Sequence, residues 1–508
     1  MEQTGFESSK NTKFDSLSRE DLIQRQFLLE EENLRLVREL YEVRQIQISE
    51  EQLKLIAAEQ LASLNETIYG ASSERYKKPE NKKSDKNQES PKPRIKKPSE
   101  RYPNIPVREV AITVAPPPEC DACGKVMLDS LMTENSEVLT VIPKKFEVIR
   151  YKRSIYRCSC QSCMKAAPAP MRIVEGSSYS NEMILDVVLS KYSDLIPIER
   201  YVQMASRHSK LVDLPPHSLI DLTHKFADFV KEVYRLIKAG MLRTRVLNAD
   251  ETPHKMLEGS EKKSWYLWGF STKTLCYLEC HDSRSGDVAS EILLKSICEV
   301  LVSDVYSGYG KAIRVVNEAR SLNSKSLIKS SYCNAHGRRY FIKAQRSYAE
   351  SKFYLDHYHE IYQLEDLTKE KSPDQVLEIR SKMLFHFEAM KNKALEEYAK
   401  YPNGLKYKTA LSYFLENYEG LTVFLKDPDV PIDNNLQERL LRSHVVGRKT
   451  WYGTHSERGA ETAAILFSII ETCKLNDVNP RDYFQKLVYD LLNKKPAFTP
   501  EDFKNLAS

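Results

Sequence analysis

No stretch of this 508-residue sequence approaches the roughly 18 consecutive apolar residues that a membrane-spanning helix needs, so a membrane-embedded chain is not expected. The opening MEQTGFESSKNTKFDS lacks the apolar core of a secretion signal. A cytoplasmic location is therefore expected, and in that reducing compartment paired disulfides are not. Net charge is also nearly absent, +5 in all, and the whole-chain balance names no partner. Apolar residues are not scarce. At 41% they suffice for real cores, and the length predicts two to four domains.

Charge and periodicity divide the chain. In residues 1–76, SREDLIQRQFLLEEENLRLVRELYEV places Leu22, Leu29, Leu36, Leu40 and Val43 on a seven-residue seam that also holds Gln26 and Asn33. Ser18 and Asp21 make a capping-box start. A polar Asn on such a seam can set register in a paired coil. A helix packed on its own chain explains the pattern nearly as well, since only about three heptads hold. Residues 77–103 are rich in Lys, Pro and Ser. Between Lys77 and Arg101 stand ten Lys/Arg against four Asp/Glu, an excess of +6. That composition predicts a flexible linker, whose charge can also hold nucleic-acid phosphates.

Strand-like text occupies residues 104–175 (VREVAITV, EVLTVIP, FEVIRYKRSIYRC), punctuated by cysteines. Residues 176–242 have helical periodicity, broken at Pro215 and Pro216. From 243 to 450, strands return at TRVLNADET, SWYLWGFS, TLCYLECHD and EVLVSDVYS, interrupted by a helical tract from Tyr340 to Phe424. Residues 451–508 are helical again.

Five of the ten cysteines fall between Cys120 and Cys163. Cys120-Asp-Ala-Cys123 and Cys160-Gln-Ser-Cys163 are two C-x-x-C knuckles joined by strand-like text. The spacing is that of a structural zinc ribbon, four thiolates surrounding Zn²⁺ at about 2.3 Å. Cys158 competes for the third ligand position, and reduced buried thiols are the alternative to metal binding. A closed four-thiolate site leaves no open position for substrate, so this zinc would hold a fold and catalyse nothing.

Three carboxylates stand in separate contexts. Asp250 ends the alternating run TRVLNADET, before a Thr-Pro turn. Asp304 follows the buried-looking run EVLVSD, ahead of a Tyr/Gly loop. Two such acids, at the ends of two strands of one sheet, can lie side by side. Glu438 sits in PIDNNLQERLLRSH, where Asn434 is placed to cap a helix with Gln437 as its capping-box partner. Taken alone, Glu438 is an i, i+4 partner of Arg442, contributing about 0.2–0.5 kcal/mol. Taken together, the three acids fit a site for two Mg²⁺ ions about 3.5–4 Å apart, which activate the attacking oxygen and stabilise the leaving one. Arg439 and Arg442 would then meet the phosphodiester carrying the scissile bond.

The chain resembles the bacterial insertion-sequence-66 transposases, DDE recombinases with an RNase H-like core. IYGASSERY (Ile68–Tyr76), the cysteine block, LSKYSDLIPIERY (Leu189–Tyr201), ADETP, SDVYSGY, CNAHGRRYF, DNNLQERLLR and Gly447–Phe484 carry the resemblance, in the family's order. It implies an α/β RNase H-like catalytic core over 243–450, with a helical insertion at about 340–424 filling much of the 134-residue interval from Asp304 to Glu438. Before the core it implies an N-terminal coiled-coil helix, a zinc-binding domain and a helical DNA-binding-like domain. Asp250, Asp304 and Glu438 become the DDE triad and the Mg²⁺ ligands, and the reaction becomes cleavage at element ends followed by strand transfer into target DNA. The implied partners are terminal-repeat DNA, target DNA and further copies of the chain, with room for accessory proteins encoded by the element, in a nucleoid-associated setting. A zinc-containing DNA-binding regulator and a nuclease that cuts without joining are the competing readings.

Other residues are weighed beside these. Arg338 and Arg339 are expected at phosphate, as are Arg448 and Lys449, with Arg458 near them in sequence. His336 either contacts DNA, sits behind the metal ligands, or is a hydrogen-bonded structural residue. Tyr306 and Tyr309 are expected to pack around the site, and Gly459, Ala460, Ala463 and Ala464 to form a helix-packing face.

Overall fold

The computed structural model describes residues 28, 31–40, 50–69, 97–103, 105–110, 119, 121–126, 136–140, 144–157, 164–209, 214–257 and 264–507. The chain divides into a large unit, residues 1–72, 152–204 and 213–508, and a small one, residues 73–151 and 205–212.

The large unit begins with helices α1 (described over 31–40) and α2 (Glu50–Tyr69). Asn33 Nδ2 donates to the Ala57 carbonyl at 2.9 Å. Val37, Leu53, Ile56 and Ala57 are buried in the same apolar core as Tyr348, Tyr354, Met390 and Phe414, far along the chain. The polar seam residue is therefore satisfied inside its own chain. Leu36 and Leu40 remain 53% and 46% exposed. Leu22, Gln26, Leu29 and Val43, with the Ser18/Asp21 cap, lie outside the described residues.

In the small unit the described residues form a short helix, α3 (Pro98–Arg101). Strands are expected over 107–114, 137–143 and 146–158; the described residues 107–110, 137–140 and 146–151 of these form none. Val107, Val110, Val138 and Val148 are exposed there. Alternating sequence yields a strand only where a partner supplies the ladder and a layer covers the apolar face. Among the described residues, strand structure from the cysteine-rich block belongs to the large unit: β1 (Ile155–Arg157) pairs antiparallel with β2 (Met164–Ala166).

Four helices follow: α4 (Asn181–Tyr192), α5 (Ile198–Ser209), α6 (Pro216–Phe229) and α7 (Lys231–Leu242). Ser180 caps α4 by accepting the Met183 N–H at 3.2 Å. Pro216 opens α6, where its missing N–H costs no helix bond.

The central sheet has five strands: β3 (Val246–Lys255), β4 (Ser264–Ser271), β5 (Cys276–His281), β6 (Val300–Ser303) and β7 (Lys329–Tyr332), in the order β5-β4-β3-β6-β7. β4 runs antiparallel to both β3 and β5, while β6 lies parallel to β3 and β7 parallel to β6. The parallel steps need crossovers. Helices α8 (Gly286–Leu294) and α9 (Ser307–Ser321) flank β6 in sequence, and α10 (Asn334–Gln345) leaves β7. A helical block then intervenes: α11 (Ser351–Asp366), α12 (Pro373–Tyr398), α13 (Lys406–Glu416) and α14 (Tyr418–Leu421). It shares its apolar core with α1 and α2. The buried Glu59 carboxylate of α2 accepts the Tyr348 hydroxyl at 2.8 Å and, at 2.8 and 3.0 Å, the Lys406 N–H that opens α13.

The chain returns to the sheet with α15 (Asn435–Trp451) and closes with α16 (Glu457–Leu475), α17 (Pro480–Leu492) and α18 (Pro500–Ala507). Along α16, Ala460, Ala463 and Ala464 are buried, which allows close approach to the sheet. Thr472 Oγ1 and Ser468 Oγ accept the N–H groups of Cys276 and Leu278 at 3.0 and 2.9 Å. The exposed edge that β5 would otherwise present is thus covered by side-chain hydrogen bonds. Among the described residues no helix is long and apolar enough to cross a membrane.

Candidate active site

Asp250 stands in mid-strand, not at a strand end before a turn as its sequence suggests. β3 continues through Pro253 to Lys255, paired with β4 throughout. The other side of β3 pairs with β6 only from Val246 to Asn248. Beyond that point its backbone groups find other partners. Glu251 N–H bonds the Asp250 carboxylate at 2.9 Å, and the Lys255 carbonyl accepts Thr454 N–H at 3.1 Å. Pro253 shares the parity of Glu251 and Lys255, so its lack of an N–H breaks no ladder bond. The carboxylate of Asp250 therefore flanks a gap where β6 has ended, and Asp304 is the first residue past that end. Asp304 Oδ1 accepts the Tyr306 N–H at 3.1 Å, which shapes the turn into α9.

Glu438 lies in the first turn of α15, where the helix dipole favours an anion. The expected capping box is not formed: the Asn434 side chain makes no bond to the helix N-terminus. Asn434 binds the sheet instead. Its Nδ2 donates to the Ala249 carbonyl at 2.8 Å, its Oδ1 accepts Asn248 Nδ2 at 2.9 Å, and its own N–H points to Cys333 Sγ at 3.2 Å. The entry to α15 is pinned beside Asp250 and beside the start of α10 by one buried amide. Sequence reasoning did not reach this role; the available signal was an Asn inside the otherwise apolar VLNA. Farther along α15, His444 Nε2 lies 3.1 Å from His254 Nδ1 on β3. Burial lowers both pKa values, that of His254 to about 4.

The acids share one electrostatic environment. Burial first, then the charges of Glu251, Asp304 and Glu438, push the Asp250 carboxyl up to about 8. Glu251, also absent from the sequence-based candidates, is the satisfied member. Arg284 reaches its Oε1 at 2.7 and 2.9 Å, and the buried Tyr309 hydroxyl donates to Oε2 at 2.6 Å. The Arg284 guanidinium also lies over the Tyr306 ring, 4.2 Å from its centroid. Tyr306 and Tyr309 thus pack around the acids as expected. Glu438 Oε1 is buried without a hydrogen-bond partner.

A family model described as "Transposase IS66 family" matches residues 176–462, which contain the sheet, the helical block and all three acids. The chain belongs to the IS66 transposase family. A second model, "zinc-finger binding domain of transposase IS66", matches residues 117–161. That span includes Cys120, Cys123, Cys158 and Cys160 and stops short of Cys163. Three proteins of Sinorhizobium fredii (strain NBRC 101917 / NGR234), each named as uncharacterized, are similar to this IS66 member over most of its length. Protein y4hP is 26% identical over 397 residues, 73% of this chain and 70% of its own. Protein y4qI is 26% identical over 404 residues, 75% and 72%. Protein y4jD is 25% identical over 387 residues, 73% and 74%.

The cationic candidates of this IS66 chain lie on α10 and α15 and differ in setting. Arg439, Arg442 and Lys449 are exposed along one stripe of α15, and Arg448 is half-buried beside the His254–His444 pair. Among the described residues no carboxylate pairs with these four. Arg442 is thus not the ion-pair partner of Glu438. Arg338 and Arg339 sit partly exposed on α10. Arg458 differs: it pairs with Asp228 on α6 at 3.2 Å. Of the proposed zinc ligands, Cys123 is exposed, while Cys120, Cys160 and Cys163, with the rival Cys158, lie outside the described residues.

Gly269 pairs across the ladder with Asp250. A Cβ at 269 would fall 2.0 Å from Nε2 of the fully buried Gln437, the residue before Glu438. Gly269→Ala is expected to push α15 off the sheet, lowering stability by about 1–3 kcal/mol as overpacked cores do. Denaturant titration measures the effect.

Proposed function

We propose that this chain is a DDE-type DNA transposase that cuts at the ends of its insertion sequence and joins the freed 3′ hydroxyl to target DNA, with Mg²⁺. The observation that carries this reading is the coupling of Asp250, Asp304 and Glu438, delivered by β3, the end of β6 and α15. An acid within β3 and another just past the end of the parallel neighbour β6 support an RNase H-like core. The donor set fits Mg²⁺: carboxylates are its usual protein ligands, Asp250 is strained as an anion without a counter-charge, and Glu438 Oε1 is orphaned. Mg²⁺ held by the three acids would supply Lewis-acid activation of the attacking oxygen and neutralise charge at the leaving one. The chain's own residues position the DNA. Arg338, Arg339, Arg439, Arg442, Arg448 and Lys449 hold phosphates near the acids. The Asn434 amide keeps α15 against β3, and Arg284 with Tyr309 keeps Glu251 from competing with Asp250. Assembly as a homo-oligomer belongs to the same reading, with Leu36 and Leu40 as available surface.

The test is cleavage and joining of labelled element-end DNA in Mg²⁺. Asp304→Asn is expected to abolish both reactions while leaving DNA binding intact. Unchanged cleavage would return the acids to a structural role, and cleavage without joining in the parent protein would make it a nuclease.

The reading includes a structural zinc held by Cys120, Cys123, Cys160 and Cys163. Glu119 and Val126 bridge antiparallel on either side of the first knuckle, and Gly124 takes φ +69°, so the chain turns there, as a metal knuckle requires. Metal analysis of purified protein is expected to give one zinc per chain, lost in Cys123→Ser and kept in Cys158→Ser. Zinc lost in Cys158→Ser but kept in Cys163→Ser would hand the position to Cys158.

A further inference from the structure

Resting on the reading of Asp250, Asp304 and Glu438 as a divalent-metal site, we propose that His336 is a direct ligand of the ion at Glu438, so that the site carries a nitrogen donor. His336 Nδ1 and Glu438 Oε1 face each other at 3.8 Å. Both atoms are buried, and neither has a hydrogen-bond partner. The separation is too long for a hydrogen bond. It suits two donors of one cation, since atoms each about 2.1 Å from an ion stand roughly 3–4 Å apart. Burying two unpaired polar atoms against each other is costly unless something between them satisfies both.

The donor atoms of Cys333, His336 and Glu438 all lie within 4.8 Å of one another. The Cys333 Sγ is already engaged, accepting the Asn434 N–H that fixes the start of α15. His336 Nδ1 makes no such bond. His336 stands in the first turn of α10, and its ring reaches across to α15, so the ion would also tie the two helices together. Carboxylates alone suit Mg²⁺, whereas imidazole raises affinity for later divalent metals. The site should therefore prefer Mn²⁺ to Mg²⁺ by a margin that depends on His336.

The experiment uses full-length, zinc-replete protein with Mn²⁺ as the probe. Binding is followed by the loss of the free-ion spin resonance signal, and coordination by pulsed resonance, which detects a bound imidazole nitrogen. The parent protein is expected to show that nitrogen. His336→Ala should lose it and bind Mn²⁺ at least about tenfold more weakly, with Mg²⁺ affinity, read by competition, far less affected. His336→Gln, which keeps a polar side chain, should behave like the alanine variant. No nitrogen coupling in the parent, or coupling and affinity unchanged in both variants, overturns the assignment. Asp250→Asn and Glu438→Gln separate this from the underlying reading. If neither weakens Mn²⁺ binding, the carboxylate site itself is wrong. If both do while nitrogen is absent, only the role of His336 fails.

Discussion

Asp250→Asn is expected to eliminate Mg²⁺-dependent strand cleavage, by at least about a hundredfold, and yet to raise the melting temperature of the Mg²⁺-free protein at neutral pH. The two effects share a cause. In the folded chain, burial and three neighbouring carboxylates hold the Asp250 pKa near 8, against 3.8 for an ordinary aspartate. Below about pH 4 the group is protonated in both states and contributes no difference. As pH rises the unfolded chain gives up this proton and the folded chain keeps it, so stability falls until the folded carboxyl also ionises near pH 8. At about 1.4 kcal/mol per pKa unit, the loss by pH 7 is on the order of 2–4 kcal/mol, allowing for partial solvent screening. Asparagine has no such penalty. Melting curves in Mg²⁺-free buffer should show the variant ahead at about pH 7 to 8 and level with the parent near about pH 4. Added Mg²⁺ should stabilise the parent and not the variant. A variant less stable than the parent at neutral pH would mean that Asp250 is not an electrostatically loaded position.

Arg380→Ala should destabilise the chain by about 3–5 kcal/mol, the cost of leaving a buried charge and its acceptors unpaired. Arg380 is 3% exposed. Its Nη1 donates to the carbonyls of Phe424, Asp427 and Val430 at 2.8, 2.8 and 3.0 Å. Its Nε and Nη2 grip the Glu365 carboxylate at 3.0 and 2.5 Å. The carbonyls belong to the segment that leads from the helical block into α15. The outer side of that segment is held by Arg245, which grips Asp427 at 2.6 and 2.9 Å and Asp429 at 2.9 Å, immediately before β3. Loss of Arg380 should therefore loosen Asn434 and Glu438 as well as the block. Arg380→Lys should not rescue, because one ammonium cannot reproduce a fork that serves a carboxylate and three carbonyls. Replacing Arg380 and Glu365 together by Met and Leu should recover part of the stability. Denaturant titration reads all three variants, and a loss under about 1 kcal/mol for the alanine variant would show that this clamp is not needed.

Pattern and length made β3, β4, β5 and β6 legible, because a half-buried strand alternates apolar and polar residues and a strand buried on both faces, as β6 is, reads as a short continuous apolar run. The same rule failed in the small unit, where Val138 and Val148 alternate correctly but stay exposed. Family membership was also legible, since short motifs in a fixed order survive in the sequence whatever the packing. The acids could be named as candidates by their neighbours. Their mutual position could not, because Asp304 and Glu438 are 134 residues apart and only the return of α15 to β3 brings them together.

Tertiary structure alone assigned the Asn434 amide to the sheet instead of its own helix, since a cap and a cross-link demand the same residue and differ only in what lies nearby. It likewise gave Glu251 its partners Arg284 and Tyr309, and turned the seam residue Asn33 inward to Ala57. Sequence by itself determined the family and the type of most elements of the large unit, because those depend on motif order and local period. Which polar group satisfies which was decided by long-range packing, because a buried donor takes whichever acceptor the fold delivers.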